Sequence, residues 1–204
     1  MEQRANQILL RGTLQAIPEY SHENHGRKFY RFYLEVPRLS GVIDTLPVIA
    51  ELAVLEQLDL SGGGSITVRG QIRSHNINTE SGRHLLIFVF ATEMIAEDGP
   101  AINEVHITGN ICKEPNYRRT PLGREICDIM LAVGRAFHRA DYLPCILWGK
   151  TAQSGAKCRV RDQLRIYGRL QSRIYTKYTE DGAQERTAYE ISALTAEQVS
   201  PDYE

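Results

Sequence analysis

From residue 164 to residue 178 the chain alternates apolar and polar positions with a period of two. Leu164, Ile166, Gly168, Leu170 and Ile174 share one parity; Arg165, Tyr167, Arg169, Gln171, Arg173, Tyr175 and Lys177 share the other. Successive side chains of a strand point to opposite faces, so this stretch reads as a strand with one face on a core. Its other face interleaves four cations with two tyrosines. Shorter alternating runs surround it, at 105–111, 126–133, 142–148 and 186–194. Residues 151–157 read as a short, weak helix between the third and fourth strands. Glu180, Asp181 and Gly182 supply hairpin turn chemistry before the fifth. In the first half the helix signal is stronger, IAELAVLEQL at 49–58, with three glycines at 62–64 as a stop.

The pattern occurs twice. NQILLRG at 6–12 matches NEVHITG at 103–109, a spacing of 97. The Leu34 and Leu131 runs (LEV, LAV) and the pairs Leu46-Pro47 and Leu143-Pro144 keep that spacing, and Gly70 in VRGQI stands 98 residues before Gly168 in IYGRL. Ordered anchors at near-constant spacing indicate a duplication. The two copies span 1–98 and 101–204, joined by the turn-rich segment 96–101. Five strands with a short helix between the third and fourth is the element order of the OB-fold. The expected fold class is all-β with one short helix per unit: two tandem OB-fold five-stranded Greek-key barrels.

Composition refines this reading. A chain of 204 residues, 42% hydrophobic and 24% charged, suits a soluble protein of one large or two small domains. No apolar run is long enough to span a membrane, and the start of the chain lacks a signal pattern, so a cytoplasmic protein without membrane partners is expected. The four cysteines form no C-x-x-C and read as reduced thiols, so neither metal nor cofactor is expected. The net charge of −1 hides a strong segregation. Residues 103–177 hold fourteen Lys and Arg against six Asp and Glu; residues 1–100 hold nine against twelve. Local charge steers ligands, and the basic region coincides with the alternating strand.

Cations beside aromatic planes suit a single-stranded nucleic acid, whose phosphates and base faces they engage. Tyr142 and Trp148 share a parity on the third strand, and Tyr167 and Tyr175 lie on the cationic face of the fourth. Arg118 falls in a stretch with Asn116, Pro121 and Gly123 that reads as a projecting loop; Arg135, Lys150, Arg169 and Arg173 flank the aromatics. No Walker loop, nucleophile elbow or H-E-x-x-H occurs, and Asp141 and Asp162 read as surface charges, so no catalysis is expected.

At this point the second copy resembles the bacterial single-stranded DNA-binding protein family. The resemblance rests on VHITGN at 105–110, EPNYRRTPLG at 114–123, CDIMLAVGR at 127–135, YLPCILWGKT at 142–151 and GRLQSR at 168–173 with Tyr175. It implies an OB-fold that binds single-stranded DNA without sequence preference in replication, recombination or repair, stacking bases on Tyr142, Trp148 and Tyr175. Two barrels per chain imply a homodimer with four OB-folds. The first copy departs from the pattern, with Thr45, Glu51 and Ile77 at the three stacking positions, and is expected to serve folding and assembly. The chain closes on VSPDYE without the family's acidic tail, so a partner-recruiting role is not expected. The alternative is an accessory or assembly barrel of replication restart or mobile elements, with weak or no DNA binding. Nothing in the sequence separates DNA from RNA.

Overall fold

The alternation at 164–170 becomes a strand whose even positions, Leu164, Ile166, Gly168 and Leu170, are buried. A computed structural model of the chain describes residues 5–58, 64–79, 82–179 and 182–199. The first unit comprises β1 (Asn6–Leu14), β2 (Glu19–Asn24), β3 (Arg27–Pro37), β4 (Ile43–Glu51), α1 (Leu52–Leu55), β5 (Ser65–Thr79) and β6 (Gly82–Ala96). The second repeats it with β7 (Ile102–Ile111), β8 (Asn116–Arg119), β9 (Glu125–Arg135), β10 (Arg139–Trp148), α2 (Gly149–Gly155), β11 (Gln163–Thr179) and β12 (Gly182–Val199).

Five strands of each unit close on themselves. In the first, β1 pairs with β5 and β3, β3 with β4, and β5 with β6; the parallel contact of β4 with β6 at Val48↔Val89 completes the ring. The second unit closes in the same way, with Cys145↔Ile191 as its parallel contact. Leu10, Leu34, Leu46 and Ile72 fill one interior; Ile107, Leu131, Leu143, Ile166 and Leu170 fill the other. This is the OB-fold, twice. The barrels are joined edge to edge, because β1 and β7 pair antiparallel from Asn6↔Ile107 to Arg11↔Ile102, making one twelve-stranded sheet.

The sixth strand of each unit, β2 or β8, pairs among the described residues with β3 or β9 alone. The stretch 114–123 is therefore not a simple loop: Asn116–Arg119 pairs with Glu125–Asp128. Helix strength is also reversed. Ile49 to Glu51 extend β4 against Arg31 to Phe29, so the stronger helical pattern yields only the four residues of α1, while α2 has seven. Alternating burial at Val48 and Ala50 outweighs helical propensity there. Gly62, Gly63, Glu180 and Asp181 lie outside the described residues.

Ile174 departs from the expected core face and is 69% exposed. β11 loses its paired strand β7 after Gly168↔Val105; Leu170 still reaches the interior, and past it β11 continues with β12 as a ribbon beyond the barrel. Parity persists along that ribbon, but there is no barrel beneath it. Where the barrel ends, two asparagines take over as backbone partners. The Asn103 side chain donates to Leu170 O (2.7 Å) and accepts from Leu170 N (2.9 Å); Asn6 does the same for Ile72, at 2.7 and 2.9 Å.

All four cysteines are free thiols, Cys127 and Cys145 buried and Cys112 and Cys158 half-buried. Burial pushes the Cys127 thiol up to about 11 and Cys145 further still, which leaves both inert as nucleophiles at neutral pH.

Candidate nucleic-acid interface

β10 crosses the second barrel with Tyr142 and Trp148 exposed, 42% and 38%, while Leu143, Cys145 and Leu147 face the core. The shared parity of Tyr142 and Trp148 therefore becomes a shared outer face. The Trp148 indole N–H donates to Ser192 Oγ on β12 at 3.0 Å, which holds the partly exposed ring by one edge. Ser192 is opposite Arg169 on β11 and beside Ile146 on β10. Trp148, Ser192 and Arg169 thus form a row across three strands. Lys150 follows in the first turn of α2 and is exposed. Neither Lys150 nor Arg169 has an ion-pair partner among the described residues.

A second row carries its own counter-charges. Arg173 reaches Glu190 at 3.5 Å, and its guanidinium carbon stands 5.4 Å from the Tyr175 ring centroid. Arg118 on β8 is paired with Asp128 on β9 at 2.8 Å. Burial pushes the Glu190 carboxyl above the usual carboxylate range, Arg173 pulls it down, and Asp128 adds to the upward push. Arg118 and Arg173 are thus each engaged by a carboxylate. Tyr175 is half-buried in a groove of about 870 Å³ between the units, lined by Tyr33, Pro47 and Ile77 from the first and by Met130, Pro144 and Tyr189 from the second. Pro144 connects this groove to the β10 row.

Two candidates stand apart from these rows. Tyr167 packs on His106 of β7, with centroids 4.7 Å apart, and lines a cavity of about 390 Å³ at the seam between the units, which Arg169 also reaches. Arg135 turns to Asp141 at 3.4 Å. Asp141 is itself a correction: it is not a surface charge but fully buried. It accepts from Arg73 Nη1 (3.0 Å) and from the Ser74 backbone N–H (2.7 Å), both in the first unit. Its counterpart Asp44 is equally buried and accepts from Arg38 and Ser172. Sequence reasoning missed this pair, although Asp44 and Asp141 are 97 residues apart and Ser74 and Ser172 are 98 apart, the spacings of the duplication.

In the first unit the equivalent face holds Thr45 and Glu51, and Ile77 lines the groove. On β3 of this unit, Phe29 and Phe32 are buried while Tyr30 and Tyr33 are partly or largely open. No cluster of potential metal ligands and no helix long and apolar enough to cross a membrane occurs among the described residues.

Closed five-stranded barrels with exposed aromatics and cations on one sheet face define the class of oligonucleotide-binding folds. The chain belongs to the single-strand binding protein family, whose model matches residues 102–199. Single-stranded DNA-binding protein B of Bacillus subtilis is 36% identical over 80 residues, which cover 71% of that protein and 36% of this chain. The single-stranded DNA-binding protein of Deinococcus radiodurans is 23% identical over 97% of this chain and 76% of its own length. The fold of both units is shared with a deletion mutant of the single-stranded DNA binding protein from Thermus aquaticus, with TM-score 0.80, 24% identity and coverage of 100% of this chain and 98% of that one. The family is one of binding proteins rather than enzymes.

Proposed function

We propose that the protein binds single-stranded DNA without sequence preference on the outer face of its second barrel, protecting or organising exposed strands in replication, recombination or repair. The observation that carries this is the exposure of Trp148 and Tyr142 on one face of β10, bordered by Lys150 and Arg169, which have no ion-pair partner among the described residues. Stacking comes from Tyr142, Trp148 and Tyr175; backbone attraction comes from Lys150 and Arg169, with Arg118 and Arg173 exchanging their carboxylate partners for phosphates. Tyr167 and Arg135 extend the path toward the seam. The work divides between residues 101–204, which bind, and residues 1–98, which support them.

Titrating the protein with oligo-dT while following Trp148, the only tryptophan, tests this reading. The expected result is quenching, with affinity falling as salt rises by a log–log slope of about −0.7 per phosphate neutralised. Absence of binding at low salt overturns the reading in favour of an accessory barrel, and tighter binding of oligo-U than of oligo-dT moves the ligand to RNA.

A homodimer of four barrels completes the proposal. Each chain supplies two barrels, so pairing with a second copy gives a closed set of four, on a face other than the groove that holds Tyr175. Sedimentation at micromolar concentration is expected to give twice the 23.1 kDa of one chain; a single-chain mass refutes the dimer and leaves DNA binding standing.

A further inference from the structure

The ribbon that β11 and β12 form beyond the second barrel carries the proposed stacking residue Tyr175. Past Gly168, one edge of β11 is paired with no strand among the described residues. Its first exposed peptide, at Leu170, is covered by Asn103. The next one facing that way, at Ser172, is covered by the other unit. The Ser172 N–H donates to Asp44 Oδ1 at 2.7 Å, the Ser172 hydroxyl donates to the same oxygen at 3.1 Å, and the Ser172 carbonyl accepts from Arg38 Nη2 at 2.9 Å. Arg38 is itself bound to Asp44 through Nε (2.8 Å) and Nη2 (2.6 Å). The two side chains therefore present an acceptor and a donor side by side, as the edge of a neighbouring strand does. Asp44 is completely buried, so water does not replace it at that edge.

We propose that Arg38 and Asp44 of the first barrel are positioning residues for DNA binding by the second, standing in for the absent strand at Ser172 so that Tyr175, with Arg173 against its ring, is held at the groove. This rests on the reading of the site given above. It gives the first barrel, which lacks all three stacking residues, a definite part in binding. The reciprocal contact, Asp141 with Ser74, repeats the arrangement on β5, where Ile77 stands in place of Tyr175. That second contact bears on Tyr142 instead, whose N–H donates to Ser74 Oγ at 2.8 Å. Each clasp thus has its own platform.

A double-mutant cycle separates positioning from general stability. Binding of labelled oligo-dT is measured for the wild type, Asp44→Asn, Tyr175→Ala, Tyr142→Ala, and the two combinations with Asp44→Asn. Asp44→Asn alone is expected to weaken binding roughly tenfold, the equivalent of losing one stacked base. On the Tyr175→Ala background it is expected to have less than about a twofold further effect, whereas on the Tyr142→Ala background its full effect should persist, since only Tyr175 depends on this clasp. Amide exchange at residues 172–176 should quicken in Asp44→Asn. Equal losses on both backgrounds, or wild-type affinity in Asp44→Asn, overturn the proposal. Should Asp44→Asn not fold, Arg38→Lys, which keeps the charge and loses the fork, enters the same cycle with the same expectations. Failure of the wild type itself to bind refutes the site and this inference together; a wild type that binds beside an Asp44→Asn that binds as well refutes the inference alone.

Discussion

Alanine at both Trp148 and Tyr175 is expected to weaken oligo-dT binding by about 2–6 kcal/mol, at least about thirtyfold, because each base–aromatic stack contributes roughly 1–3 kcal/mol. Two features place this pair above the other candidates. The Trp148 indole is held by Ser192 at one edge, so its plane is ordered before DNA arrives and little is lost in fixing it. Tyr175 has Arg173 against its ring, a cation set beside the plane on which a base would lie. Trp148 is partly exposed and Tyr175 lines an open groove, so the double variant should retain its melting transition. Because the variant has lost the intrinsic probe, anisotropy of a labelled oligonucleotide is the suitable measurement. Affinity within threefold of the wild type would move the binding face elsewhere, with Tyr20 and Tyr33 on the first barrel as the next candidates.

The largest effect on folding is expected at Gly168. β11 passes so close to β12 here that a Cβ on Gly168 would collide with the Ser192 carbonyl and press on the Ala193 backbone. The register with β12 shifts at this point, between Tyr167 and Gly168. Gly70 meets the Phe90 carbonyl in the same way, at the equivalent shift in the first unit. The obstructing atoms are backbone in the wall of a closed barrel and cannot swing aside as a side chain would. Gly168→Ala should therefore fall at the upper end of overpacking penalties, about 3 kcal/mol, read as a lower urea midpoint. Gly134→Ala, with open space where its methyl would go, is the control, with an expected change of less than about 0.5 kcal/mol. Equal midpoints for the two variants would refute the argument.

The barrel strands, the duplication and the shared face of Tyr142 and Trp148 were all legible, because period-two alternation reports directly which side of a strand a residue occupies. Alternation does not report what lies beneath that side. Ile174 keeps the apolar parity of Leu170, yet it stands on a ribbon past the end of the barrel. Nor does local pattern reveal partners from the other unit. Asp141 sits near arginines in sequence, as a surface charge would, and only the packing of Ser74 and Arg73 against it makes it a buried junction. Ile49 to Glu51 carry a helical signal that long-range pairing with β3 overrides. Arg118 and Arg173 were legible as cations but not as members of ion pairs, since Asp128 and Glu190 approach them across strand pairings rather than along the chain.

The β1–β7 ladder gives the joining segment 97–101 a significance beyond connection. A short tether converts the pairing of the two units from an encounter between molecules into one within a molecule, at an effective concentration in the millimolar range. Unlike units are then held together even where two like units would have to find each other by diffusion. Under that arrangement Thr45, Glu51 and Ile77 stand at the positions equivalent to Tyr142, Trp148 and Tyr175, while strand β1 of the first unit and its buried Asp44 serve the neighbouring unit.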